Sequence, residues 1–232
     1  HMQDHRNHLL THRARLHREA DAAFAQWAAG YGVIQHSPQT QLRIFELAQL
    51  LVAQGRAASP ADVYRLLRAA DRVASAAMWL TVHMTYAQRV RWDGAALQPG
   101  EYKQTPEGHT GGSLNMVPAY AGYLAANSLT GHTRGWIMGQ GHSVAGVEAV
   151  NLLVGNMLPI QAQRYDLSDA GLTRFVGDFY SYAIGPNGRP ASPLGSHVNA
   201  NTAGGISEGG YLGFAELQYV HIPLPGERLV AF

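Results

Sequence analysis

Three histidines of this chain sit in glycine-rich settings. They are His109 in Gly108-His109-Thr110-Gly111-Gly112, His142 in Gly139-Gln140-Gly141-His142, and His197 in Gly195-Ser196-His197. An imidazole changes protonation near neutral pH, so it can hydrogen-bond hydroxyl groups and carry protons between them. A neighbouring glycine lets backbone approach a ligand closely. The same pattern also describes a tight turn, and both readings stand for each motif taken alone. A fourth element is Gly204-Gly205-Ile206-Ser207-Glu208-Gly209-Gly210-Tyr211-Leu212-Gly213, with five glycines in ten residues. Here ligand approach and close packing against a neighbouring helix are equally open.

The elements that must position these residues follow from periodicity and punctuation. Trp136-Ile137-Met138 reads as a short buried strand running into Gly139, and Ser143 to Val154 reads as the next helix. A strand–loop–helix junction of this kind offers free N–H groups to an anion, which suits a diphosphate or a polar cofactor ring. Ser113 precedes a small-residue helix through about Ala126, in which Pro118 is tolerable only near the start. Ser168 caps a helix carrying Leu172, Phe175 and Val176, Glu208 to Val220 is a further helix, and Leu229 to Phe232 a further strand. Residues 92–112 and 185–205 lose periodicity and read as loops.

Upstream, Leu42 to Gln54 is apolar at helical spacing. Ser59, Pro60 and Asp62 open a long helix expected to reach about Gln88. The first 18 residues hold His5, His8, His12 and His17 among arginines. The i, i+4 pair His8 and His12 is compatible with a metal, but a solvated, partly frayed arm is the expectation. The alternation of short apolar runs with helices predicts an α/β fold with a mainly parallel sheet flanked by helices. The boundaries expected are a helical N-terminal extension at 1–58 and a ligand-binding domain at 59–232.

Composition narrows the classes. A formal net charge of +1 in 232 residues makes no case for nucleic acid binding through bulk charge. The absence of cysteine excludes disulfides and fits a reducing compartment, so a cytoplasmic location is expected. No apolar run approaches the roughly 18 residues of a membrane span, and the N-terminus has no apolar signal core.

Several segments resemble phosphoketolases, of the transketolase type. Gly108-His109 with Gly111 is similar to that family's Gly-His-Trp-Gly. Ile137-Met138-Gly139-Gln140-Gly141-His142 resembles Ile-Met-Gly-Pro-Gly-His. Asp169-Ala170-Gly171-Leu172, Ser196-His197 and Gly205 to Gly213 follow in the family's order, with Arg68-Ala69-Ala70-Asp71 upstream. Thr110, Gln140 and Ser207 stand where the family has tryptophan, proline and histidine.

The resemblance implies the first thiamine-diphosphate-binding domain of an enzyme cleaving ketose phosphates such as xylulose 5-phosphate. It implies that His109, His142 and His197 line the active site, and that Gly139, Gly141, His142, Gly209 and Gly210 contact the cofactor. It implies Mg2+ as well, with its ligands expected beyond Phe232, together with a sugar-phosphate substrate, a homodimer, and a remaining part of the enzyme or second polypeptide. The departures leave room for a relative resembling xylulose 5-phosphate 3-epimerases, or for a non-catalytic, degenerate partner domain.

Overall fold

Residue types at the helix ends explain where the helices lie. A computed structural model describes residues 2–132, 134–137, 141–181, 183–186, 188 and 228–231. In chain order the helices are α1 (Met2–Ala20), α2 (Ala22–Ala28), α3 (Pro38–Ala53), α4 (Pro60–Tyr86), α5 (Thr110–Thr130), α6 (Val144–Val154), α7 (Pro159–Arg164) and α8 (Asp169–Asp178). Asp21 caps α2 by accepting from the N–H groups of Ala23 and Phe24, Ser37 caps α3 from Thr40, and Ser168 caps α8 from Gly171. At the other end of α6, Gly155 takes the left-handed conformation, φ 71°, that stops a helix without a Cβ penalty.

The expected α/β fold with a mainly parallel sheet is not found. Among the described residues strand is confined to β1 (Arg134–Ile137) and β2 (Arg228–Ala231), which pair in parallel with Trp136 opposite Val230, and the rest of the ordered backbone is mostly helix. The two apolar runs do form strands. The error lay in counting them as samples of a larger sheet, where the structure packs helix directly on helix. The predicted helix at 208–220 and residues 189–205 of the loop expected at 185–205 lie outside the described residues.

The chain divides into two units, His1–Ser75 with Ala121–His132, and Ala76–Tyr120 with Thr133–Phe232. The first is held by aromatic packing. Phe24, Trp27, Ala48, Leu51, Val63 and Tyr64 form its buried cluster, with Phe24 meeting Tyr64 edge-on at 5.3 Å. The expected frayed arm is instead a helix docked on α2 and α3. Ala14 is buried, and the ring of His17 stacks on Phe45 at 3.8 Å. An amphipathic basic helix with one aromatic-seeking face is indistinguishable by composition from a solvated arm, and the docking partner lies 28 residues away in sequence.

In the second unit α8 is tied to the segment after α4. Thr173 Oγ1 accepts from the Val90 N–H at 3.0 Å, and Asp169 Oδ1 accepts from the Trp92 N–H at 2.8 Å. The helix α5 begins three residues before Ser113, so Pro118 is interior rather than near the start. Proline removes the N–H that would reach the Leu114 carbonyl. Pro118 is exposed, so solvent can serve the freed group.

Candidate functional site

His109 stands immediately before α5 and caps it. Its Nδ1 accepts from the Gly112 N–H at 3.2 Å, while its carbonyl accepts from the Ser113 N–H at 3.0 Å. A ring nitrogen that accepts carries no proton, so this bond selects the tautomer in which Nε2–H is the donor.

His142 lies in the 3₁₀ turn Gly141–Ser143 that links the β1 segment to α6. Its ring meets that of His109 edge-on, with centroids 4.5 Å apart and planes at 78°. Two imidazoles 33 positions apart in sequence therefore share one place.

Glycine permits this approach. A Cβ on Gly112 would stand 2.5 Å from Ser143 Oγ and 2.6 Å from His109 Nδ1. A Cβ on Gly146 would stand 2.3 Å from the Ser113 carbonyl oxygen. The first turns of α5 and α6 are thus in contact at a distance that side chains would forbid. Both helices start beside the histidine pair, with their free N–H groups and positive dipole ends.

Polar atoms here lack internal partners. His142 Nδ1, Ser113 Oγ and Ser143 Oγ are buried, and none has a hydrogen-bond partner among the described residues. Ser113 and Ser143 are both fully buried, and Ser143, although it is the N-cap of α6, makes no side-chain cap bond. Buried polar groups are normally satisfied, so these three atoms around two helix starts make this the candidate site for a polar ligand. His109 is exposed and His142 half-buried, so the pair is open to solvent on one side.

Tyr180 closes the far side of Gly108. That glycine has φ 123°, and a Cβ on it would meet the Tyr180 ring at 2.7 Å, so both backbone and space demand glycine there. Glu148, two residues beyond Gly146 and on a different side of α6, is 3% exposed. Its Oε2 has no partner among the described residues, and burial pushes its carboxyl up to about 8. It is mostly protonated at neutral pH.

Of the residues singled out from sequence, His109 and His142 are side by side and Gly141 opens the turn carrying His142. His197, Gly139, Gly209 and Gly210 lie outside the described residues. Among the described residues no group of three or more His, Asp or Glu could hold a metal, and His8 and His12 belong to no such group. Sequence reading treated Ser113 and Ser143 as helix punctuation and missed their hydroxyls, although each adjoins a glycine-histidine motif. It also missed Glu148, whose signal is a lone acid in the otherwise apolar run Val144 to Val150.

Residues 63–221 match the family described as the XFP N-terminal domain. No curated protein and no solved structure matches the chain.

Proposed function

Because this chain belongs to the phosphoketolase family through its N-terminal domain, we propose that it forms the diphosphate side of a thiamine-diphosphate site in an enzyme that cleaves ketose phosphates such as xylulose 5-phosphate. The observation that carries the reading is the His109–His142 pair set among the unpartnered His142 Nδ1, Ser113 Oγ and Ser143 Oγ. These donors and acceptors fit a polar, anionic group: helix N–H groups and hydroxyls can receive phosphate oxygens.

In this reading the backbone at Gly139, Gly141, Gly209 and Gly210, with His142, holds the cofactor. Mg2+ balances the diphosphate charge, with no ligand assigned among the described residues. When bound, thiamine diphosphate supplies the carbon nucleophile for the ketose carbonyl. The work of this chain is then positional and protonic. His109, its Nδ1 engaged by the Gly112 N–H, donates from Nε2 to a substrate hydroxyl. His142 retains an unengaged nitrogen and exchanges a proton with a neighbouring hydroxyl, and His197 is the third member of the set. Ser113 and Ser143 donate to acceptor oxygens brought in by the ligands.

The test is made on the enzyme carrying this domain at full length, as a titration of thiamine diphosphate with Mg2+ and an assay of acyl phosphate from xylulose 5-phosphate. Saturable binding weakened at least tenfold in His142→Ala, with cofactor-dependent product, is expected. Cofactor binding that ignores His142→Ala would remove the site from this helix junction. Cofactor binding without release of an acyl phosphate, but with conversion to the 3-epimer, would move the reading to the epimerase-like relative.

A further inference from the structure

A cleft of about 590 Å3 opens in the second unit, with Gln88, Lys103, Gln104, Thr105, Glu107 and Tyr180 among its lining residues. That volume lies in the range of small-molecule sites. Its central charge is Lys103. Backbone bonds fix that residue in place: its N–H reaches the Tyr86 carbonyl at 2.8 Å, and Gln88 N–H reaches the Glu101 carbonyl at 2.8 Å. Its side chain turns inward, where Nζ donates to the Met84 carbonyl at 2.6 Å.

An ammonium has three donors, and this one spends a single hydrogen bond on the end of α4. No carboxylate pairs with it among the described residues, although it is half-buried. Desolvation lowers its pKa, and the field of Glu107, which also lines the cleft, acts the other way. With no carboxylate at ion-pair distance among the described residues, the desolvation is only partly offset, by Glu107 and by the Tyr180 ring, and an incoming anion would offset it further. Gln104 and Thr105, both exposed, line the cleft beside it.

The wall opposite is unusual. Tyr180 adopts φ 62° and is the sole non-glycine residue with positive φ among those described. Such backbone persists where the surroundings over-determine it, often at ligand sites. Its ring lies 5.8 Å from Lys103 Nζ on one side, and on the other it presses on Gly108, next to His109.

We propose that this cleft binds a small oxyanion, a phosphate or carboxylate group, seated on Lys103 and flanked by Gln104 and Thr105. Glu107 at the rim admits a compact, singly bound group and opposes an extended polyanion. Tyr180 joins the cleft to the Gly108-His109 turn, so occupancy bears on the orientation of His109. The site is distinct from the helix starts at His109 and His142 and stands whether or not those take a diphosphate.

The test is an NMR titration of the 232-residue chain, following the Gln104 and Thr105 amide signals, with inorganic phosphate in one arm and malonate in the other, at ionic strength held constant with sodium chloride. Saturable shifts are expected in at least one arm, and the arm that saturates tells which oxyanion the cleft takes. Lys103→Met should weaken that binding at least tenfold. Lys103 also holds the end of α4, so Thr105→Val, at an exposed position, serves as the second variant and should weaken it about threefold, in the range of one lost hydrogen bond. His142→Ala should leave it unchanged. Shifts that fail to saturate in both arms, indifference to Lys103→Met in a folded chain, indifference to Thr105→Val, or loss in His142→Ala alone would each overturn the proposal.

Discussion

His36 and His142 are both half-buried histidines, but their surroundings differ atom by atom. In the first unit His36 stacks on Trp27 at 4.4 Å, its Nε2 meets Asp71 Oδ2 at 2.7 Å, and its carbonyl accepts from Gln41 Nε2 at 2.8 Å. In the second unit His142 meets the edge of His109, and its buried Nδ1 lacks a partner among the described residues. The carboxyls repeat the contrast: Asp71 is paired, while Glu148 Oε2 is buried unpaired. A histidine with one ring nitrogen paired to a carboxylate and its ring stacked on a tryptophan is part of a core. One left with an open nitrogen between two helix starts is the candidate for ligand contact.

The sharpest way to break the comparison is to delete each ring. His142→Ala in the enzyme at full length should lower turnover by about 10²–10⁴-fold if the residue moves a proton. Its urea midpoint should change little, since the ring leaves no partner stranded. A loss under tenfold would return His142 to structure.

The next largest effect concerns Glu148. Its folded-state value of about 8 lies above the ordinary 4.5. The cost of holding it in the fold is therefore absent below pH 4.5, where the unfolded chain is also protonated. That cost grows as pH rises toward 8, so stability falls across this window. Glu148→Gln should remove the slope, raising stability by roughly 3 kcal/mol at pH 7 and by little at pH 4.5. Urea denaturation at both pH values checks it, and equal gains at both would show that the carboxyl is not the source.

The smallest expected effect falls in the first unit. His36→Ala strands Asp71 and removes the stack on Trp27, and should destabilise the chain by roughly 2 kcal/mol, below the 3–5 of a fully buried pair because both side chains keep some exposure. Turnover per folded molecule should not move. A loss of activity at full folding would erase the distinction between the two histidines.

Much of this was legible along the chain. Ser59-Pro60 started α4, Ser168 capped α8, the span Ser143 to Val154 held α6, and the runs at 136 and 229 became the paired strands. The glycine-histidine motifs at 108 and 141 marked the two segments that meet. These are local signals: a cap, a stop, a period of 3.6 residues, a backbone freed of Cβ. The family follows from them too, since residue types in a fixed order need no contacts to be recognised.

What the chain could not declare by itself was where each element packs. The expected sheet failed because an apolar run of four residues states that it is buried, not how many neighbours pair with it. The basic arm became α1, docked through Ala14 and His17, because the aromatic face that receives it comes from α3. The pairing of His36 with Asp71, the contact of Gly146 with the Ser113 carbonyl, and the burial of Glu148 and Lys103 join positions far apart in sequence or depend on what surrounds them. Sequence determines which groups can donate, accept or titrate. Only tertiary structure decides which of them find partners, because a hydrogen bond needs two atoms within about 3 Å, and the spacing of residues along a chain does not set that distance between elements.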